Sequence, residues 1–304
     1  DMKLVDFLEL YKKDMGPRLR LNTWKTKESI ITKRILPYLG EKRMNQIAPV
    51  DIVRWWQNEL MALEKPSGGG FSATYLKTVN NQLCALFNHA VRFYGLSSNP
   101  CRRAESTGSK SAGEMRFWTK DQYLRFSDEI MDKPLSFHAF ETLYWCGVRE
   151  GELLALKPRR FDFERGTLTV AESYQRIDGR DVITDPKTPK SKRVIAMPRF
   201  YAEEMEAFLS ALDLDPDERI FPVTKYFLSH EMARGSKAAG LEPIRVHDLR
   251  HSHVSLLIDM GFSALAIADR MGHEAADITY RYAHLFPSVQ ADMARALDGA
   301  RREN

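Results

Sequence analysis

The sequence has few cysteines, no long apolar run and no strong excess of one charge. Its 304 residues include three cysteines, Cys84, Cys101 and Cys146, and no two of them stand in a CxxC spacing. We therefore expect neither a disulfide framework nor a zinc ribbon, and reduced thiols in a cytoplasmic protein are the simplest interpretation. No apolar run approaches the roughly 18 residues of a membrane span, and no leader pattern opens the chain, so we expect neither an integral membrane protein nor secretion.

Charge is unevenly distributed along the chain. Lys and Arg number 45 against 41 Asp and Glu, which gives a formal net charge of +4. The stretch 12–34 has eight basic and two acidic residues, and the stretch 180–199 has six and two, so their surpluses are +6 and +4. Such stretches suit faces that meet a polyanion, most naturally nucleic acid. Taken alone, however, the charge pattern favours ordinary solvated faces.

Length and apolar spacing predict two domains, mainly α with a small antiparallel β-sheet. At about 100–200 residues per domain, a chain of 304 residues suggests two. Four helices are predicted in residues 1–100: over 2–15, from a cap at Asn22 or Thr23 to about Tyr38, from Pro49, and over about 72–94. Residues 101–115 have the small, polar composition of a linker. Residues 116–304 are predicted to be helical, with one sheet between about 160 and 197 and a tail helix over 288–301.

The second domain contains side chains suited to anion chemistry. His247 and Arg250 are three residues apart, and on a helix they would present a proton-transfer group and an oxyanion clamp on one face. Arg149 follows Gly147 at the start of an apolar helix, where it would form an anion site that Glu152 orients. Each pattern by itself is more often a structural histidine or a surface ion pair.

A tyrosine and a basic turn complete the set. Tyr282 lies nine residues after His273, and a phenol can attack phosphorus when neighbouring cations stabilise the developing charge. A half-buried aromatic is the ordinary alternative, and it describes Tyr280 equally well. The basic segment 187–193 lies between two predicted strands. A hairpin tip there would carry a lysine into a cleft as a proton donor, and a solvated basic turn is the alternative.

Together these residues resemble the tyrosine recombinase (phage integrase) family. The matching order is Arg149, Lys187, His247-x-x-Arg250, Gly-His273 and Tyr282, within Gly-Val-Arg-Glu-Gly-Glu-Leu, His-Asp-Leu-Arg-His-Ser and Met-Gly-His. The first domain resembles the family's core-DNA-binding domain, so the resemblance covers essentially the whole chain and is closest to integrases of conjugative transposons and phages. Such integrases often carry an additional amino-terminal arm-binding domain. Because the chain opens at Asp1 within a helical pattern, we expect a fragment that lacks it.

The resemblance implies a site-specific recombinase that cuts and rejoins DNA to integrate and excise a mobile element. Tyr282 would attack the scissile phosphate and form a 3′-phosphotyrosyl bond. Arg149 and Arg250 would hold the non-bridging oxygens. Lys187 would protonate the leaving 5′-oxygen, with Lys190 as the competing candidate because strand register cannot be fixed from sequence.

Three further residues have supporting roles in this resemblance. His247 would assist proton transfer, and His273 would hydrogen-bond the phosphate. Glu152 would position the histidine and arginine groups from behind. The bond energy is kept in the phosphotyrosine, so no metal, ATP or other cofactor is implied.

The resemblance also implies partners. The two domains would form a DNA clamp on double-stranded attachment sites. Protomers would assemble as DNA-dependent dimers or tetramers that exchange the 288–301 helix in trans. Accessory DNA-bending or directionality factors and a bacterial, nucleoid-associated location in the cytoplasm are also expected. The candidate DNA contacts are Lys25, Lys27, Lys77, Asn80, Asn81, Arg102, Arg103, Lys190, Lys192 and Arg193.

Three other functions compete with this interpretation. A metal-dependent phosphohydrolase would use His247, Asp248, His251 and His253 as ligands, but an arginine beside a metal is electrostatically poor and no carboxylate cluster follows. A type IB topoisomerase shares the tyrosine chemistry, but the residue spacing is phage-like. A DNA-binding module that has lost catalysis is not expected to retain all of the chemical residues.

Overall fold

The chain divides into two compact units. The computed structural model describes residues 2–62, 68–104, 108, 115–186, 189–272, 282 and 285. The units are Asp1–Glu114 and Met115–Asn304. Each has an apolar core of its own. The boundary between them falls at the end of the segment with linker composition.

Helices build the described part of the first unit. They are α1 (Leu4–Met15), α2 (Leu21–Ile30), α3 (Leu36–Leu39), α4 (Pro49–Arg54) and α5 (Ala73–Phe93). Pro49 occupies the first turn of α4, where its missing N–H costs nothing, as predicted. Ser72 caps α5 by accepting a hydrogen bond from the backbone N–H of Tyr75. The apolar faces of α1 and α5 meet in the core through Leu4, Phe7, Leu83 and Phe87, among others.

The second predicted helix differs from the structure in its start and its regularity. It begins at Leu21, and its capping position makes no side-chain hydrogen bond, so the predicted cap at Asn22 or Thr23 is wrong. A π-helical turn at Ile31–Ile35 follows α2, and another at Trp55–Leu60 follows α4. Both turns bury apolar side chains, so packing in the core compensates for their poorer hydrogen-bond geometry.

Seven α-helices surround the core of the described second unit. They are α6 (Lys120–Asp128), α7 (Pro134–Trp145), α8 (Glu150–Leu153), α9 (Arg199–Leu212), α10 (Lys225–Ala238), α11 (Asp248–Asp259) and α12 (Ala264–Met271). Thr119 caps α6 as predicted, accepting from the N–H of Gln122. Helix α11 packs against α7 and α12 and is buried on most sides. It therefore carries polar side chains, including Arg250 and His251, into the interior, where they must be paired.

The described strands form two small antiparallel sheets instead of the single predicted one. Strands β1 (Phe161–Asp162), β2 (Thr167–Val170) and β5 (Arg193–Ala196) pair in the order β1-β2-β5. Strands β3 (Ser173–Ile177) and β4 (Arg180–Thr184) form a separate hairpin. Its two turn residues, Asp178 and Gly179, have φ of 50° and 78°, the left-handed conformation that two-residue hairpin turns favour. Strand β3 escapes prediction because its buried residues, Tyr174 and Ile177, are three apart and break the period of two.

The basic segment after β4 is a connection between sheets. Strand β4 pairs with β3, whereas β5 pairs with β2, so the two strands that flank the basic segment belong to different sheets. The prediction of a hairpin tip at this place is therefore wrong. A Cβ on Gly272 would lie 2.7 Å from the carbonyl oxygen of Lys190, which shows that Lys190 lies directly beside the end of α12.

Candidate active site

Arg149 is held by a carboxylate one turn into α8. Its backbone N–H donates to Oε2 of Glu152 at 2.9 Å, and its Nη1 donates to Oε1 at 2.7 Å. The Arg149 side chain is 31% exposed, whereas that of Glu152 is 3% exposed. The arginine is thus fixed from its buried side and can meet an anion from solvent, as the sequence motif predicts for the pair.

Glu152 binds a second arginine that comes from β5. Nη2 of Arg193 donates to Oε2 of Glu152 at 2.9 Å, and Nη1 donates to Oε1 at 3.2 Å. Burial by itself raises the pKa of Glu152, but the guanidiniums of Arg193, Arg149 and Arg250 outweigh it and lower the pKa to about 2. The carboxylate is therefore ionised at any pH at which the protein works.

Arg250 projects from α11 into the interior and is 3% exposed. Its guanidinium donates to the carbonyl oxygens of Gly147, just before α8, and Met271, at the end of α12. Burial and the positive charges of Arg149 and Arg193 lower its pKa well below the ordinary value. Arg250 thus links three segments of the site. Because the three guanidiniums repel one another, their surroundings favour the binding of an anion.

Gly147 makes this arrangement possible. Its φ of +62° is left-handed, and a Cβ there would lie 2.5 Å from Cδ2 of His253 and 3.1 Å from Sδ of Met271. Only glycine has both the backbone freedom and the small size for this position. The glycine of the Gly-Val-Arg motif thereby presents its carbonyl group to Arg250.

His247 stands directly before α11, one turn from Arg250. The backbone N–H of Arg250 donates to the carbonyl of His247 at 3.2 Å, so the two side chains leave neighbouring turns, close to the predicted arrangement. The His247 side chain is exposed, yet its pKa is lowered. Partial loss of hydration is the larger cause, and the positive charge of Arg250 is the next. A neutral, accessible imidazole beside the arginines is suited to proton transfer.

Tyr282 is buried against α11 and α12, and 2% of it is exposed. Its ring packs with Val254, Ile267 and Met271, among others. Its hydroxyl group makes a hydrogen bond with Nδ1 of His251. His251 follows Arg250 directly in α11, so this bond ties Tyr282 to the helix that carries the arginine.

His251 is a residue that the recombinase interpretation of the sequence left without a role. Its ring lies 5.4 Å from that of His247 and 5.7 Å from that of Tyr282, centroid to centroid. The sequence offers one sign of it, the second histidine of His-Asp-Leu-Arg-His, which also fits the metal-ligand alternative.

Several predicted residues fall outside the described part of the chain. These are Lys187, His273, Tyr280 and the predicted tail helix over 288–301. Their roles remain predictions.

The proposed metal ligands of the phosphohydrolase alternative are engaged in separate interactions. Asp248 accepts from Nε of Arg245 at 3.0 Å, and His253 accepts from Nε of Arg270 at 3.1 Å. Among the described residues, no three His, Cys, Asp or Glu side chains converge as metal ligands would.

Most of the predicted DNA contacts in the described chain are accessible. Lys25, Lys27 and Lys77 are partly exposed. Asn81, Arg102, Arg103, Lys190 and Lys192 are exposed. Lys27 lies over the ring of Tyr11 at 5.2 Å, and Lys192 forms a 2.9 Å ion pair with Asp185.

Two of the predicted DNA contacts are buried, which corrects their assignment. Asn80 faces the core of the first unit and is 2% exposed, so it is not available to read a groove. The Arg193 side chain is 6% exposed, and it also donates from Nε to the carbonyl of Arg270 at 3.0 Å. A charge in a basic run looks solvated in the sequence, but here it is an internal partner of Glu152.

Comparison with known proteins identifies the family. Residues 116–288, more than half of the chain, match the model of the phage integrase family, and residues 3–61 match that of the phage integrase N-terminal SAM-like domain. The chain belongs to the phage integrase family. It is 30% identical over 296 residues to the ICEBs1 integrase of Bacillus subtilis strain 168, covering 91% of this chain and 77% of that protein. It is 24% identical to the integrase of Mycobacterium phage L5, covering 82% and 67%.

Solved integrase structures share the fold. The Tn1549 transposon integrase in complex with transposon right end DNA superposes with a TM-score of 0.77 at 19% identity, over 100% of both chains. A lambda integrase dimer bound to a COC′ core site gives 0.69 at 20% identity, covering 95% of this chain and 80% of that chain. The predicted fold class, mainly α with a small antiparallel β-sheet, is confirmed, although the described strands divide into two sheets.

Membership of the family confirms the predicted enzyme class. Phage integrases are tyrosine recombinases, which cleave and rejoin DNA strands, and the chain is an enzyme of this kind. The topoisomerase and phosphohydrolase alternatives are not favoured. No described helix is long and apolar enough to cross a bilayer.

Proposed function

We propose that Tyr282 is the nucleophile of this integrase and that it forms a 3′-phosphotyrosyl bond with DNA. The observation that supports this most directly is the hydrogen bond of Tyr282 to His251 on α11, the helix that also carries Arg250, whose guanidinium binds the carbonyl of Gly147 near Arg149. A phenol beside two guanidiniums is the arrangement that attack on a phosphodiester needs.

The charge of the cluster matches the proposed reaction. Arg149, Arg193 and Arg250 contribute three positive charges and Glu152 one negative charge, so these four side chains have a surplus of two. A phosphodiester has one negative charge, and more charge develops on its oxygens as the nucleophile adds. The site is therefore better matched to the transition state than to the ground state, which is the condition for catalysis.

Protonation of the leaving 5′-oxygen is assigned to residues that lie outside the described part of the chain or next to its limits. Lys187 protonates the departing 5′-oxygen, with Lys190 as the alternative donor, and His273 hydrogen-bonds the phosphate. Lys190 lies beside Gly272, the residue before His273, and this supports a role for the basic segment at the same phosphate as His273. His247 assists from the accessible side, and Glu152 positions Arg149 without touching the substrate.

The wider function follows the same family pattern. The helical unit acts as the core-DNA-binding domain and the second unit as the catalytic domain, and together they clamp the double-stranded attachment sites of a mobile element that the enzyme integrates and excises. Protomers assemble on DNA and exchange the 288–301 helix in trans, assisted by accessory DNA-bending or directionality factors. The protein works in the bacterial cytoplasm at the nucleoid. Similar solved structures include a lambda integrase tetramer bound to a Holliday junction, which supports DNA-dependent assembly.

The test is trapping of the covalent intermediate. The substrate is a duplex from the DNA flanking this gene that is nicked next to the cleavage position. After cleavage, its short 5′-hydroxyl strand diffuses away, and this prevents rejoining. Wild-type protein, Tyr282→Phe and the control Tyr226→Phe are incubated with it, with and without EDTA, and analysed on a denaturing gel. Tyr226 lies in the same unit and is 81% exposed, so its substitution controls for the loss of a hydroxyl.

We expect a covalent band with wild-type protein and Tyr226→Phe and none with Tyr282→Phe. A band that persists in Tyr282→Phe would move the nucleophile, with Tyr280→Phe as the next variant. A band that disappears in EDTA would contradict the metal-free mechanism.

A further inference from the structure

The hydroxyl group of the proposed nucleophile lies against a histidine inside the protein. Tyr282 is 2% exposed and His251 is 7% exposed, and the phenol oxygen makes a hydrogen bond with Nδ1 of the imidazole. A buried phenol and a buried imidazole in this arrangement form a potential proton-transfer pair.

Attack by Tyr282 requires the phenol to lose its proton to a group with a free lone pair. Arg149 and Arg250 favour the phenolate by their charge, but a guanidinium has no lone pair with which to accept a proton. A neutral imidazole whose proton is on Nε2 accepts at Nδ1, the atom that faces the Tyr282 hydroxyl.

We propose that His251 is a catalytic residue, the general base for Tyr282 during cleavage and the general acid for it during rejoining. This proposal rests on the assignment of Tyr282 as nucleophile. In cleavage, the bond from Tyr282 Oη to phosphorus forms while the bond from phosphorus to O5′ breaks. The phenol proton passes to Nδ1 of His251, and O5′ takes a proton from Lys187. In rejoining, each proton returns along the same path.

The two histidines of the His-Asp-Leu-Arg-His motif then have different places in the reaction. His247 is exposed, so it can approach a bound phosphate from solvent. His251 is buried and lies on the nucleophile side. Their rings meet nearly at right angles, with an interplanar angle of 87°, so each presents its nitrogens in a different direction.

The test separates proton transfer to His251 from proton transfer to the leaving group. His251→Asn keeps a hydrogen-bonding atom near the position of Nδ1 but cannot take up a proton at working pH. His230→Asn is the matched control, because the His230 side chain in the same unit is 65% exposed. Each variant, together with Lys187→Ala and Tyr282→Phe, is given the nicked duplex in two forms, one normal and one with sulfur in place of the bridging O5′. A thiolate leaves without protonation, so the sulfur substrate removes the need for the leaving-side acid.

We expect His251→Asn to form the covalent adduct about 10²–10⁴-fold more slowly than wild-type protein on both substrates, the usual range for loss of a general base. Its DNA affinity should be unchanged, and His230→Asn should match the wild type. Lys187→Ala should be slow on the normal substrate and restored on the sulfur substrate.

A His251→Asn rate within about 3-fold of wild type, or a defect that the sulfur substrate restores, would overturn the role of His251 and leave that of Tyr282 intact. An adduct formed by Tyr282→Phe would instead overturn the proposed nucleophile. If His251→Asn binds DNA poorly, His251→Gln is measured in its place and judged by the same outcomes.

Discussion

At the scale of single residues, Glu152 determines the geometry of the cluster because one carboxylate binds two guanidiniums. Arg149 presents its charge to solvent, whereas the side chain of Arg193 is buried. Neither arginine can be held in this way by a neutral side chain, since the bonds of both arginines to Glu152 are charge-assisted. The charge of Glu152 is therefore required for stability as well as for function.

We expect Glu152→Gln to destabilise the second unit by about 3–5 kcal/mol at pH 6, because Arg193 is left buried without its counter-charge. This difference depends on pH. The pKa of Glu152 is about 2 in the folded chain against an ordinary 4.5, so its stabilisation is fully present above about pH 4.5 and is lost as pH falls toward 2. Between pH 6 and pH 3.5 the difference between wild type and variant should shrink by about 1.4 kcal/mol. Urea unfolding at the two pH values measures it, and a difference that grows on acidification would contradict the ion-pair account.

Gly147 offers a second residue-scale prediction with a control inside the same unit. Gly147→Ala should cost at least about 2 kcal/mol and strongly reduce cleavage, because the new Cβ meets His253 and moves a carbonyl that Arg250 uses. Gly179 has a similar φ of +78° but open space around it. Gly179→Ala should therefore cost only about 1 kcal/mol and leave cleavage unchanged. Thermal unfolding and the nicked-duplex assay compare the two variants. Equal losses of stability and of cleavage would show that backbone strain alone, and not the contact with His253, causes the effect of Gly147→Ala.

At the scale of elements, β5 ties the Glu152 cluster to the end of α12. Arg193 opens β5, and it binds Glu152 with its Nη atoms and the carbonyl of Arg270 with its Nε. Its neighbour Lys192 is 55% exposed and pairs with Asp185. Two adjacent basic residues thus have different functions, one internal and one at the surface.

Substitution of these neighbours should separate the functions. Arg193→Lys cannot reproduce the two-pronged contact with Glu152, so cleavage should fall by about 10–100-fold while DNA affinity changes little. Lys192→Ala should leave the cleavage rate of bound DNA unchanged, weaken binding and reduce the slope of log affinity against log salt by about 1. Affinity titrations at several salt concentrations, with single-turnover cleavage, test both. A drop in affinity confined to Arg193→Lys would restore its first assignment as a DNA contact.

Local signals predict some elements well and others poorly. Helices α4, α5 and α6 are predictable because Pro49, Ser72 and Thr119 mark their starts by simple backbone chemistry. The π-helical turns have no such marker, since packing in the core decides them. The pairing of β4 with β3 depends on a strand whose buried side chains lack a period of two. The roles of Arg193 and His251 depend on contacts with residues 41 and 31 positions away, which spacing along the chain does not reveal.

At the scale of the whole molecule, the family and the enzyme class were predictable because several weak motifs of the second unit form a specific set when taken together. The residues predicted to act in the reaction, Arg149, Glu152, His247, Arg250 and Tyr282, all lie in one unit. The DNA contacts in the first unit were harder to predict. Asn80 and Asn81 are neighbours in α5, yet one is buried and the other exposed.

The distribution of charge leads to a prediction about assembly. The combined positive surplus of the basic stretches 12–34 and 180–199 exceeds the net charge of +4 of the whole chain. Faces of like charge on separate protomers therefore repel each other until a polyanion lies between them. We therefore expect the DNA-free chain to be a monomer of 35.0 kDa and its oligomers to form only on duplex DNA. Light scattering at low and moderate salt, before and after addition of an attachment-site duplex, measures this. Salt at 0.1 M screens charges that are more than about 10 Å apart, so the repulsion between protomers is strongest at low salt. The monomer should therefore be most persistent there. A stable tetramer in the absence of DNA would mean that contacts between protomers, rather than DNA, drive assembly.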